Sequence, residues 1–154
     1  MTMSSTRDTV GVFLVVLATV AMIVSLYMVF LFAPTEATMG VVQKIFYFHV
    51  PSAWVAFLAF FLVFLFSLVY LIRRDERWDA VASSSAQIGV MFCTLVLITG
   101  PMWARPVWGV WWTWDARLTL TLVLWLIYVA YLMLRRYMVD PERKATFAAV
   151  LGVV

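Results

Sequence analysis

Four runs of 17 to 23 residues without a charged side chain constrain this sequence more than any other feature in it. Residues 10–32 and 53–72 form runs of 23 and 20 uncharged residues, which as helices reach about 35 Å and about 30 Å, enough to cross a hydrocarbon core of roughly 30 Å. Residues 80–102 form a third run, opening with Ser83, Ser84, Ser85 and Gln87, small or hydrogen-bonding side chains suited to close helix packing. Gly100-Pro101 is expected to end it. Residues 118–134, between Arg117 and Arg135, form the shortest run at 17 residues, close to the lower limit for a span. A further apolar stretch follows Arg143-Lys144 from Ala145 to the last residue, Val154, too short to cross. The chain is therefore expected to stop inside a fifth helix, as the front part of a longer protein.

Composition agrees with these runs. Only 12% of the residues are charged and 66% are hydrophobic, whereas a soluble domain carries about a quarter charged residues to wet its surface. The expected fold is an all-α polytopic membrane helix bundle, four complete transmembrane helices plus the start of a fifth. It makes one transmembrane domain over residues 1–154, incomplete at the C-terminus. The first run is too long for the apolar region of a cleavable signal, and no small-residue cleavage site follows, so it reads as a retained span.

The single cysteine, Cys93, excludes an internal disulfide, a CxxC redox pair, a CxxCH haem attachment and a thiolate zinc cage. Absence of a GxxxxGK[ST] run excludes a P-loop, so any ATP-driven work belongs to a partner. No basic cluster resembles a nucleic-acid footprint, and the expected surroundings are membrane lipid. Lys and Arg divide unevenly between the connections. Arg7, Arg73, Arg74, Arg77, Arg135, Arg136, Arg143 and Lys144 flank one side, against Lys44, Arg105 and Arg117 on the other. The positive-inside rule then places the N-terminus in the cytoplasm and the connections 33–52 and 103–117 together outside.

Those two outer connections hold the unusual residues. Residues 39–48 read as a short amphipathic segment, with Val42, Phe46 and His49 on one stripe and Gln43 and Tyr47 on another. Pro51 suits the first turn of the second helix and leaves His49, the only histidine, at the bilayer rim. There it is either an interfacial imidazole bonded to a carbonyl or water, or a ligand for porphyrin iron. Trp103, Trp108, Trp111, Trp112 and Trp114 lie within twelve residues, five of the eight tryptophans. An aromatic belt spreads over all helix ends, and the inner ends supply only Trp78, so the concentration suits a platform for a flat ligand or a partner surface. Asp115 fits the N-cap of the fourth helix. Arg105 and Arg117 fit either interfacial anchors or guanidinium partners for carboxylates such as haem propionates.

The stretch Trp108-Gly109-Val110-Trp111-Trp112-Thr113-Trp114-Asp115-Ala116-Arg117-Leu118-Thr119 resembles the WGxxWxWDxRLT signature of the tryptophan-rich haem-handling membrane proteins of cytochrome c biogenesis. Upstream, Phe46-Tyr47-Phe48-His49-Val50-Pro51-Ser52-Ala53-Trp54 is similar to the histidine segment of one branch, the cytochrome c maturation protein C or haem exporter protein C family. The resemblance implies a six-helix, non-enzymatic protein of the bacterial inner membrane. Such a protein holds haem (haem b in transit) at the outer face, passes it to a membrane-anchored haem chaperone, and assembles with ATP-binding-cassette transporter subunits. It further implies that His49 is an axial ligand of haem iron and that Trp108, Trp111, Trp112, Trp114 and Asp115 line the haem and chaperone site. The family's second axial histidine follows the fifth helix, beyond the residues present here. Two other roles stay open: a b-type redox subunit, which needs histidine pairs, and a structural transporter subunit that never touches haem.

Overall fold

The computed structural model describes residues 2–154, with side chains from Asp8 onward; the Arg7 side chain of the charge count lies outside the described residues. Five α-helices follow one another: α1 Thr2–Tyr27, α2 Phe46–Arg73, α3 Glu76–Trp108, α4 Ala116–Tyr137 and α5 Pro141–Val153. The fold is all-α, and among the described residues four helical segments are long and apolar enough to cross a membrane: Asp8–Phe32, Val41–Arg73, Glu76–Trp108 and Ala116–Tyr137. The protein is a multi-pass membrane protein. At 13 residues α5 is about 20 Å long and shorter than a span. The chain forms two compact units, Met1–Lys44 and Ile45–Val154.

In the first unit α1 widens into a π-helical turn, Met28–Phe32, closed by the Ala33 N–H on the Met28 carbonyl at 2.8 Å. Glu36 then organises a reversal. Its carboxylate accepts from the backbone N–H groups of Met39 and Thr38, which hold its pKa below the usual carboxylate value. Gly40 supplies the positive φ of 62° that the turn requires.

The second unit departs from the sequence expectation at its helix ends. Helix α2 starts at Phe46, ahead of a first turn at Pro51 and of the uncharged run from residue 53, and follows at once on the 3₁₀ turn Val41–Ile45 at the boundary of the two units, so no separate amphipathic segment forms. His49 thus lies in the first turn of α2, and Pro51 is the sixth helical residue. The larger departure is in α3, which continues through Gly100-Pro101 and Pro106 to Trp108. Each proline removes one N–H from the helical ladder, but in apolar surroundings unravelling the chain would strand several more backbone groups, so the helix persists. It stops where Gly109 adopts φ +78°, its N–H bonding the Arg105 carbonyl at 3.0 Å. Trp103, Arg105 and Trp108 accordingly stand on a helix, and only Trp111, Trp112 and Trp114 lie in the connection.

The starts of α3, α4 and α5 share one device. Asp75, Asp115 and Asp140 each accept a backbone N–H of the first turn, from Arg77, Leu118 and Arg143 at 2.9, 3.0 and 2.9 Å. Pro141 follows Asp140 and starts α5 four residues ahead of the expected Ala145.

Helix α2 packs along α3, and α5 packs against α2 and α4. The core joins Ala56, Phe60 and Val63 of α2 with Ala82, Ala86 and Cys93 of α3 and Tyr128 and Tyr131 of α4. The Phe60 and Tyr128 rings stack at 4.0 Å and 9°. Gly89 makes room for that stack, because a Cβ there would overlap the Phe60 ring. Ala145, Ala148, Ala149 and Gly152 of α5 are all buried on one stripe, where small side chains let helix backbones approach. A Cβ at Gly152 would collide with Ser67 of α2.

Candidate functional site

The start of α2, the end of α3 and the start of α4 enclose a predominantly apolar cavity of about 310 Å³, within the size range of small-molecule sites. Its walls include His49, Trp103, Trp108, Trp111, Trp112 and Arg117, and it runs down to the core residues Phe60 and Cys93. Antiparallel succession brings this about: α2 leaves from the end of the bundle at which α3 arrives and from which α4 departs. Residues about 60 apart in sequence, His49 and Trp112, thereby line one cavity.

His49 is half-buried, its Nδ1 2.8 Å from the Thr99 hydroxyl of α3. The ring lies beside Gly100 of α3, where a Cβ would come into van der Waals contact with His49 Cε1 at 3.4 Å. The tryptophans form an interlocked group. Trp103 meets Phe46 edge-on at 4.9 Å and Trp108 edge-on at 4.7 Å, and the Arg117 guanidinium lies 5.8 Å from the centre of the Trp108 ring. Trp112 and Trp114 meet edge-on at 5.8 Å. Among the described residues the buried indole N–H groups of Trp103 and Trp112 have no hydrogen-bond partner. Left unpaired, these two fully buried donors are costly; the cavity itself presents predominantly apolar walls, suited to an apolar ligand.

The other sequence candidates stand at the edge. Trp114 is 75% exposed and, with Asp115 and Arg105, does not line the cavity. The Asp115 carboxylate receives the Leu118 N–H and the Thr113 hydroxyl at 2.7 Å, with Arg117 4.0 Å away. These contacts, the Leu118 bond foremost, hold its pKa below the usual carboxylate value. Arg105 donates to the Gly109 carbonyl and braces the end of α3. Arg117 thus combines cavity lining with substantial exposure, the placement a carboxylate-bearing ligand at the rim would use. Thr99 escaped the sequence reading, because no periodicity relates it to a histidine 50 residues earlier. Trp78, taken there as an interfacial residue, is stacked on Phe66 at 5.4 Å and packs beside Tyr70.

These features define a class, the multi-pass helical membrane proteins that enclose a tryptophan-walled cavity with a histidine in its side. The family model for Heme exporter protein C matches residues 2–154, and the chain belongs to that family. It is 42% identical over 122 residues to Heme exporter protein C of Bradyrhizobium diazoefficiens, covering 79% of this chain and 46% of that protein. It is 38% identical over 125 residues to the Rhodobacter capsulatus protein of the same description, covering 81% and 52%. With Heme exporter protein C of Escherichia coli it shares 33% identity over 126 residues, 80% of this chain and 51% of that protein. The chain spans about half the length of these curated relatives.

Proposed function

We propose that residues 1–154 act as one transmembrane haem-handling domain in cytochrome c maturation, holding haem at the outer face of a bacterial inner membrane. The observation that carries this reading is the placement of His49 in the side of the tryptophan-walled cavity, with Arg117 at its rim. A neutral imidazole at the edge of an apolar site is a ligand for porphyrin iron. Trp108, Trp111 and Trp112 offer faces and edges to the macrocycle, and Arg117 a bidentate partner for a propionate. Haem b in transit is cargo in this reading, and the protein has no bond-breaking role.

Trp114, projecting outward beside the Asp115 cap, is the contact we assign to a membrane-anchored haem chaperone, an exposed aromatic anchor of the kind that dominates interfaces. ATP-binding-cassette transporter subunits are the proposed source of energy, consistent with the lack of a P-loop in this chain. The eight-to-three division of Lys and Arg favours a cytoplasmic N-terminus.

His49→Ala in the full-length protein tests the reading. Loss of an axial ligand should alter the haem spectrum and lower cytochrome maturation while membrane insertion persists. An unchanged haem spectrum with normal maturation would return His49 to an interfacial imidazole and leave the structural-subunit role standing.

A further inference from the structure

Thr99 makes two hydrogen bonds with a hydroxyl that has one hydrogen. Its Oγ1 lies 2.7 Å from the Leu95 carbonyl of its own helix and 2.8 Å from His49 Nδ1. The carbonyl can only accept, so both bonds exist together only if the hydroxyl donates to Leu95 and accepts from an N–H at His49 Nδ1. A neutral imidazole protonated at Nδ1 keeps its lone pair at Nε2.

The chain contains a second copy of this arrangement in which the direction is unambiguous. Five residues earlier on α3, Thr94 donates to the Val90 carbonyl at 2.7 Å while accepting from Trp125 Nε1 at 2.8 Å. An indole N–H only donates, so a threonine bonded back to its own helix there serves as an acceptor for a neighbouring helix. Thr19 and Thr121 also bond back to their helices. The back-bond alone is therefore ordinary, and the incoming ring nitrogen distinguishes Thr94 and Thr99.

We propose that Thr99 is a positioning residue for His49, holding the imidazole as the Nδ1–H tautomer so that Nε2 is the metal-binding atom. The inference rests on the proposed ligation of haem iron by His49 and adds the device that selects the ligating nitrogen. A hydrogen bond from Nδ1–H makes Nε2 a more basic ligand, and losing such an outer partner typically weakens metal binding by roughly 10- to 100-fold.

The test uses the full-length protein titrated with iron protoporphyrin IX, comparing Thr99→Val, Thr99→Ser and His49→Ala by haem affinity and by the midpoint potential of the bound haem. Thr99→Val keeps the shape but removes the acceptor. It should weaken haem binding at least tenfold and raise the potential, because a less basic ligand stabilises ferric iron less; Thr99→Ser should restore both. Wild-type affinity and potential in Thr99→Val, with His49→Ala clearly impaired, would overturn the role of Thr99 and leave ligation by His49 intact. Weakened binding in both Val and Ser variants with an unmoved potential would mark a packing effect and overturn it as well. An unchanged spectrum and affinity in His49→Ala would remove ligation by His49 and the role of Thr99 with it.

Discussion

Arg135 grips Asp79 with its two terminal guanidinium nitrogens, at 2.5 and 2.7 Å, across the interface between α4 and α3. Each side chain is only 14% exposed, and the guanidinium also lies 5.7 Å from the centre of the Tyr131 ring. This pair clamps the helices at the end of α3 away from His49. Removing the carboxylate leaves a charge without its partner in a place where water compensates poorly. Asp79→Ala is therefore expected to destabilise the folded protein by about 3 to 5 kcal/mol, read as a fall in unfolding midpoint in detergent. A double variant replacing both residues with apolar ones should recover much of that loss, and a cost below about 1 kcal/mol for Asp79→Ala would place the pair with solvent-screened surface bridges.

Gly89 has no room for a methyl group, because the Phe60 ring it faces is itself stacked on Tyr128. Gly89→Ala should cost about 1 to 3 kcal/mol through overpacking. Combining it with Phe60→Leu should cost less than the sum of the two single variants. Simple additivity in unfolding measurements would show that the ring moves aside freely.

The tryptophans divide by placement. Trp112→Phe trims the cavity and is expected to lower haem retention, with a loss on the order of 2 kcal/mol or more if the indole is a binding hot spot. Trp114→Phe, at the exposed edge, should leave haem retention unchanged and weaken capture of the haem chaperone. Trp54→Phe is a suitable control, since Trp54 is 73% exposed and the change retains most of the apolar body. Equal effects of all three on haem retention would argue for a common anchoring role.

Asp115 should give a pH signature. Its carboxyl is held below the usual carboxylate pKa by the Leu118 N–H, the Thr113 hydroxyl and Arg117, so its contribution is fully present above the unfolded carboxylate pKa. That contribution is lost as pH falls through the depressed folded value. Protection of the Leu118 amide, corrected for intrinsic exchange, should therefore hold through the ordinary carboxylate range and drop only below it. Asp115→Asn retains an acceptor for the cap and should remove the pH step, whereas Asp115→Ala should lower protection at every pH. A step that persists in Asp115→Asn would assign it to another group.

Topology is open to direct labelling. In a Cys93→Ala background, a cysteine placed at Trp111 should react with an impermeant thiol reagent from outside, and one at Arg74 only after the inner face is opened. The reverse pattern would invert the orientation drawn from Lys and Arg and move the cavity to the other side of the membrane.

Much of this protein was legible from local chemistry. The four apolar runs specify spans because an uncharged helix of that length has no other low-energy solvent. Asp115 reads as a cap because its carboxylate needs only the N–H groups of the next turn, a contact confined to neighbouring residues. Contacts between distant residues were not legible. Gly100-Pro101 carries a local stop signal, yet α3 passes through it, since keeping the surrounding backbone bonds in apolar surroundings outweighs the one that Pro101 lacks. Arg135 reads as one more inner-face charge until α3 presents Asp79 to it. His49 is a lone imidazole until α3 brings up Thr99 and Gly100 and α4 closes the cavity. The sequence by itself determined which segments enter the membrane, because that choice depends on transfer energies summed along each segment. The tertiary structure alone decided which histidine nitrogen keeps its lone pair and what surrounds it, because hydrogen-bond direction depends on partners that only packing brings within reach.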